Sequence, residues 1–513
     1  LALKKLVSLG KLASLPKGRA KLVVLPDGTR FACVRRAGAG DEPEQVDVLE
    51  DRCPHEGHPL SMGLVRDGVL TCQWHNWKFD LGTGACTAGG EAVRRYPAEV
   101  YADEVFVDLD RTHDPARSAE DLARALREGA IDAAVRVALR WSRLEPGAPL
   151  EAMVLQVARA RPRGLGDAMA AMAAIRAFGP IFSEAESFAL IAQVAAQEVH
   201  GRVDRSWPPT VLSGIDDAES FLADLLEERR ADAIGRVLGL APDVPADAIV
   251  ARWLLPWTAA KLWDRGDALA RVAGVIELLP SLSPKTARVL VASLAESIAW
   301  SVADSDLPPW RATRNALLAA STITPGSASA HVSLPGREPE AVTAAVAALQ
   351  AGVAPQHVLE AIERGSLLRL ARYDLRCSQK VGSTAHALDA GQPMLLARAA
   401  GSLLSAGLAS PAQAVSWCVQ GAGLLGRLAS RDGHEHVAEG DDLDALVRRG
   451  LLEGPLDETL ARRVTVARAV YAHRGRAAME RLFADRVSLA RLAANAARHV
   501  DVGEPPVEGD GSA

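Results

Sequence analysis

Cys53-Pro54-His55-Glu56-Gly57-His58-Pro59-Leu60 and Cys72-Gln73-Trp74-His75-Asn76-Trp77-Lys78-Phe79-Asp80 are the stretches on which the reading of this chain turns. The pattern is Cys-x-His, sixteen residues, then Cys-x-x-His. Thiolate and neutral imidazole are metal ligands, and short spacings let one loop offer both. Cys53, His55, Cys72 and His75 are therefore candidate ligands. Zinc is one metal that such a set could hold.

The sequence around these loops reads as short strands. Lys21-Leu22-Val23-Val24-Leu25 is an apolar run, Pro26-Asp27-Gly28 a turn, and Arg30-Phe31-Ala32-Cys33-Val34 a second run, which predicts a hairpin. Val46-Asp47-Val48-Leu49, residues 92–100 and Glu104-Val105-Phe106-Val107-Asp108 are further strand candidates. Short strands punctuated by Gly and Pro predict a small β-sandwich or barrel over residues 1–112. After Thr112 the composition shifts to Ala, Leu, Arg and Glu, which favour helix. Ser118-Ala119-Glu120-Asp121 reads as a capping box, and Ser283-Pro284 and Ser410-Pro411 as N-caps before a proline. Gln413 completes a box with Ser410, and Gly352 and Gly401 stand where helix stops are expected. The fold class expected is multidomain α+β. A small all-β domain is followed by a mostly α-helical region over residues 113–500, one bundle or two sub-bundles, and a flexible tail over 501–513.

The two loops carry further elements, Pro59-Leu60, Trp77-Lys78-Phe79-Asp80 and Gly82-Thr83-Gly84. With them the segment resembles the Rieske iron–sulfur domain over roughly residues 5–110. The resemblance implies a 2Fe-2S cluster, with Cys53 and Cys72 on one iron and His55 and His75 on the other, nearer solvent. Imidazole in place of thiolate removes negative charge and raises the reduction potential. High-potential members of the family link the two loops by a disulfide, and the matching positions here are His58 and Trp74. Where those members place Ser and Tyr hydroxyls, this chain has Trp77 and Phe79. Fewer hydrogen bonds to sulfur imply a potential of roughly −150 to 0 mV. His58 is read as exposed.

The bulk numbers exclude several classes. A length of 513 residues suggests more than one domain, and 24% charged residues is ordinary for a globular protein. The net charge is −6, and residues 1–112 hold 15 basic and 16 acidic side chains, so no basic face for nucleic acid is expected. Six cysteines are too few for a disulfide scaffold. Cys33, Cys86, Cys377 and Cys418 are read as free thiols, which fits a cytoplasmic setting. No apolar run approaches the ~18 residues of a membrane span.

The helical region offers weaker signals. Oxygenases with a Rieske domain pair it with a mononuclear iron held on an Asp-x-x-His-x-x-x-x-His run, and no two histidines here are five residues apart. The Glu-x-x-His spacing of di-iron bundles is also missing. His200, His357 and His386 are the remaining candidates for catalysis or a second metal, each with an ordinary alternative as a polar-face or capping residue. His434-Glu435-His436 reads as a solvated loop, and Trp253, Trp257 and Trp263 as core or the wall of a hydrophobic pocket. No Gly-x-Gly-x-x-Gly stands at a strand-to-helix turn, so electrons are expected from another protein, a ferredoxin or a reductase.

Three functions are compatible with this reading. The first is an oxidase or monooxygenase-like oxidoreductase, in which the cluster domain serves a reaction centre or a pocket for a small hydrophobic substrate in the helical region. The second is an electron-transfer protein whose helical region docks a redox partner. The third is a redox sensor.

Overall fold

The computed structural model describes residues 6–26, 28–36, 44–87, 90–108, 115–160, 165–177, 183–199, 245–372, 377 and 387–432. The tail 501–513 lies outside the described residues. The chain divides into two compact units, one running to Ala152 and the other Met153–Ser488. Among the described residues no helix is long and apolar enough to cross a membrane.

The first unit is built on ten strands in three antiparallel sheets. They are β1 (Leu6–Lys11), β2 (Ala20–Val24), β3 (Arg30–Arg36), β4 (Gln45–Glu50), β5 (Leu64–Arg66), β6 (Val69–Thr71), β7 (Lys78–Asp80), β8 (Arg95–Tyr96), β9 (Ala98–Tyr101) and β10 (Glu104–Asp108). Their orders are β1-β10-β9, β2-β3-β4-β8 and β5-β6-β7. The expected hairpin is β2–β3, in register Val23↔Phe31, and its turn closes where Gly28 N–H donates to Leu25 O at 2.9 Å.

Strand β3 shows why this sequence makes two cores. Side chains alternate across a strand, so neighbours face opposite sides. Phe31 and Cys33 join a core with Leu9, Val105 and Val107, whereas Ala32 and Val34 join a second core with Leu60, Leu70, Phe79 and Leu81. Val48 and Leu49 of β4 divide the same way. Burying Phe31 fully is worth roughly 1.5–3 kcal/mol. The second core matters for function, because Cys53 and Cys72 belong to it.

Some boundaries differ from the sequence expectation. The strand expected over 92–100 is two, β8 and β9, which lie in different sheets on either side of Pro97. Proline lacks the N–H that would continue a ladder. Strands β1 and β5–β7 had no counterpart among the expected ones.

Helix α1 (Pro115–Glu128) follows and turns at Gly129 into α2 (Ile131–Leu144). Ser118 is not its cap: α1 begins at Pro115, whose fixed φ suits a first position. Beyond the first unit the described structure is helical, as expected, including Ala168–Ala177, Asp267–Leu278, Pro284–Trp300, Pro355–Arg372, Gln392–Ser405 and Pro411–Arg427. Ser283 Oγ accepts from Thr286 N–H at 3.4 Å. Ser410 and Gln413 form the reciprocal box, with N–H to side-chain distances of 3.2 and 2.7 Å. Gly352 ends the helix Glu338–Gln350 at φ +83°. Gly401 stops nothing: it lies buried within Gln392–Ser405, and Gly407 at φ +70° supplies the left-handed residue past that helix.

Candidate metal centre

Two six-residue loops, each opened by a cysteine, lead out of the second core with one backbone frame. In the first, Cys53 N–H donates to His58 O at 2.7 Å and Gly57 N–H to Cys53 O at 2.8 Å. In the second, Cys72 N–H donates to Trp77 O at 2.7 Å and Asn76 N–H to Cys72 O at 3.1 Å. The fifth residue of each loop is left-handed, Gly57 at φ +79° and Asn76 at φ +57°. Glycine and asparagine are the residues that tolerate this region. Each frame fixes its cysteine in the core and its histidine at the rim.

The four donors fall into two pairs. Cys53 and Cys72 are buried and within hydrogen-bonding reach of each other. His55 and His75 bring their Nδ1 atoms to 3.1 Å, with ring centroids 4.7 Å apart. His55 is half-buried and His75 exposed. One thiol pair inside and one imidazole pair outside suit two metal ions with different ligands, which fits a 2Fe-2S group of mixed Cys and His ligation. A single zinc would need all four donors around one point. The one group of three His, Cys, Asp or Glu ligand atoms within 4.8 Å, among the described residues, is His55, Glu56 and His75, with neither cysteine in it.

Burial acts on one member of each pair. Burial pushes the Cys53 thiol up to about 12, against the backbone N–H groups of His55 and Glu56, which pull it down. A buried thiol of this kind gives up its proton to a metal far more readily than to water. Burial also lowers the pKa of His55, with Glu56 opposing and His75 assisting, so the imidazole stays in its neutral, ligating form.

Aromatic rings frame the imidazoles. Trp77 stacks on His55 with centroids 4.6 Å apart. Gly90 is what leaves room for that ring, since a Cβ there would stand 2.5 Å from it. His58 and Trp74, the positions read as lacking a disulfide, stack at 4.3 Å and 2° and so link the loops by ring contact. His58 is therefore half-buried by its partner rather than plainly exposed. Glu56 lies 3.6 Å from His75 and was not singled out from sequence, where an acid between two histidines of one loop carries no signal.

The helical candidates separate from this centre. His357 opens the helix Pro355–Arg372 and its Nδ1 stands 3.2 Å from Glu360 in an i,i+3 pair, with no third ligand joined to it among the described residues. His200, His386, His434 and His436 lie outside the described residues. Trp257 and Trp263 stack at 5.1 Å, and Trp263 is buried. In the second unit a cavity of about 290 Å³ opens between helices, lined by small residues such as Ala170, Ala174, Gly274 and Ser402 together with Glu363 and Arg398. Arg398 Nη1 is 3.4 Å from Glu363. Burial raises the pKa of Glu363, and Arg398 pulls against it.

Comparison with known proteins adds a family to the geometry. The family model for the Rieske [2Fe-2S] domain matches residues 6–99. The chain is 51% identical over 47 residues to a 4beta-methylsterol monooxygenase of Methylococcus capsulatus, which is 9% of this chain and 12% of that protein. It is 38% identical over 60 residues to a vanillate O-demethylase oxygenase subunit of a Pseudomonas species, 12% of this chain and 17% of that one. The chain thus spans less than a fifth of the length of these relatives. Among solved structures, a ferredoxin of Sphingomonas yanoikuyae B1 is 23% identical, covers 21% of this chain and 98% of its own, and has a TM-score of 0.18.

Proposed function

We propose, from the premise that residues 6–99 are a Rieske [2Fe-2S] domain, that Cys53, His55, Cys72 and His75 hold its cluster and that this domain feeds single electrons to a substrate pocket in the helical region. The chain is in the broad sense a Rieske oxidoreductase. When bound, the cluster supplies storage for one electron at a time. Cys53 and Cys72 keep their half of the site in the apolar core, where water is excluded. His55 and His75 bring the other half to the surface, within reach of a ferredoxin or a reductase. Trp77 covers the face of His55 and holds the ring in its ligating orientation. The cavity of about 290 Å³ in the second unit mixes small apolar side chains with Glu277, Gln356, Glu363 and Arg398, which suits a small substrate that is partly apolar and carries polar groups.

The observation that carries the cluster reading is the division of the donors into a buried thiol pair and an imidazole pair at the rim, His55 half-buried and His75 exposed. The test is iron and acid-labile sulfide per chain in anaerobically purified protein, with electron paramagnetic resonance on the reduced sample. Two irons, two sulfides and a Rieske-type spectrum are expected. Folded protein without sulfide would defeat the reading. Reoxidation of the reduced cluster that speeds up with an added substrate would support the enzyme. Turnover only with a separate oxygenase would make the chain an electron carrier.

A further inference from the structure

Val137, Arg140, Trp141 and Leu144 recur on α2 at i, i+3, i+4 and i+7, the spacing of one helix face. That face lines a cavity of about 380 Å³ in the first unit, which it shares with α1 and the segment around β8. Val137 and Leu144 are apolar, and Trp141 Nε1 donates to Glu145 Oε2 at 2.9 Å, which leaves its ring as wall. The charged part of the lining is four arginines against three acids, a surplus of one positive charge. Most of these groups are held by the protein itself. Arg94 bonds Tyr96, and Arg95 Nε donates to Leu81 O at 3.3 Å. Arg117 Nη1 donates to Thr83 O at 2.6 Å, and Asp121 is paired with Arg124.

Glu91 and Arg140 differ. Glu91 is 3% exposed, and its Oε1 accepts from Arg136 Nε at 2.7 Å. Its Oε2 is buried and accepts no hydrogen bond among the described residues. Arg140 Nη1 stands 3.6 Å from that oxygen, near enough for attraction and too far for a hydrogen bond. A buried carboxylate oxygen without a donor is costly and calls for a partner. A ligand that bonds both groups must offer a donor to Glu91 and an acceptor to Arg140, and the narrow gap puts the two on neighbouring atoms. We propose that this cavity binds a small organic acid with a hydroxyl on the carbon next to its carboxylate. The carboxylate lies on Arg140, the hydroxyl donates to Glu91 Oε2, and the apolar body rests against Val137, Trp141 and Leu144. The proposal stands whether or not the four Cys and His donors hold a cluster.

The experiment is isothermal titration calorimetry on the full-length chain, with mandelate as the probe. Phenylacetate lacks its hydroxyl and benzyl alcohol its carboxylate. Mandelate is expected to bind, and each analogue to bind about tenfold or more weakly, since a hydrogen bond to a charged group is lost in either case. Arg140→Gln is expected to weaken mandelate by a similar factor. No binding of mandelate overturns the proposal. Phenylacetate bound as tightly as mandelate overturns it too, because Glu91 would then select nothing. Unchanged mandelate affinity in Arg140→Gln places the ligand elsewhere and also overturns it. Should circular dichroism show that Arg140→Gln does not fold, Leu144→Glu decides instead, because Leu144 is 48% exposed and its replacement sets a negative charge at the rim. Weaker mandelate binding then supports the proposal, and unchanged binding overturns it.

Discussion

The loops Cys53–His58 and Cys72–Trp77 close with the same two backbone hydrogen bonds and the same left-handed fifth residue, yet present different surroundings to their histidines. His55 sits two residues after its cysteine, half-buried under Trp77. His75 sits three residues after its cysteine, exposed and facing Glu56. The shared part is backbone and concerns the cysteines; the differing part is side chain and concerns the histidines. A frame of this kind can hold the metal the same way from both sides while leaving one edge dry and the other open to an electron donor.

The comparison breaks most sharply at the cysteines. Cys53→Ser and Cys72→Ser are each expected to abolish the cluster, read as loss of sulfide and of visible absorbance in folded protein. Both thiols occupy the same core, so equal loss is the expected result. Retention of two sulfides in either variant would show that the two loops are not equivalent.

The potential comes next. Trp77 and Phe79 bring no hydroxyl to the site, and the loops are linked by the His58–Trp74 stack rather than a covalent bond. A midpoint of roughly −150 to 0 mV is therefore expected. A value above about +200 mV, in the upper part of the Rieske range, would show that the backbone N–H groups of the shared frame do more than positioning.

What could be read in advance follows the range over which each signal acts. The candidate ligands could be named in advance because their spacing is local, and the hairpin β2–β3 was legible because its turn residues sit between two apolar runs. Ser283 and Ser410 were legible because an N-cap is chemistry within four residues. Strands β5, β6 and β7 have three residues each, too few to show an alternation, although the second loop lies between β6 and β7. Gly401 misled because glycine marks a stop only where the backbone turns left-handed, and that residue is Gly407. The ion pair of Glu91 with Arg136 joins positions 45 apart, and nothing local announces it.

The fifth loop positions give the finest comparison. Gly57→Ala places a Cβ 3.1 Å from Arg52 Nε, the far end of a flexible side chain that can yield. What remains is the left-handed backbone at φ +79°, which costs a β-carbon about 1–2 kcal/mol. That loss should appear as a lower urea midpoint followed by cluster absorbance. Asn76→Gly tests the same backbone from the other side. Asparagine already tolerates φ +57°, so glycine relieves little strain while adding freedom to the unfolded chain. The two effects oppose, and a change within about 0.5 kcal/mol is expected. Were Asn76→Gly to cost as much as Gly57→Ala, the Asn76 side chain would be holding the second loop by a contact that the first loop does without.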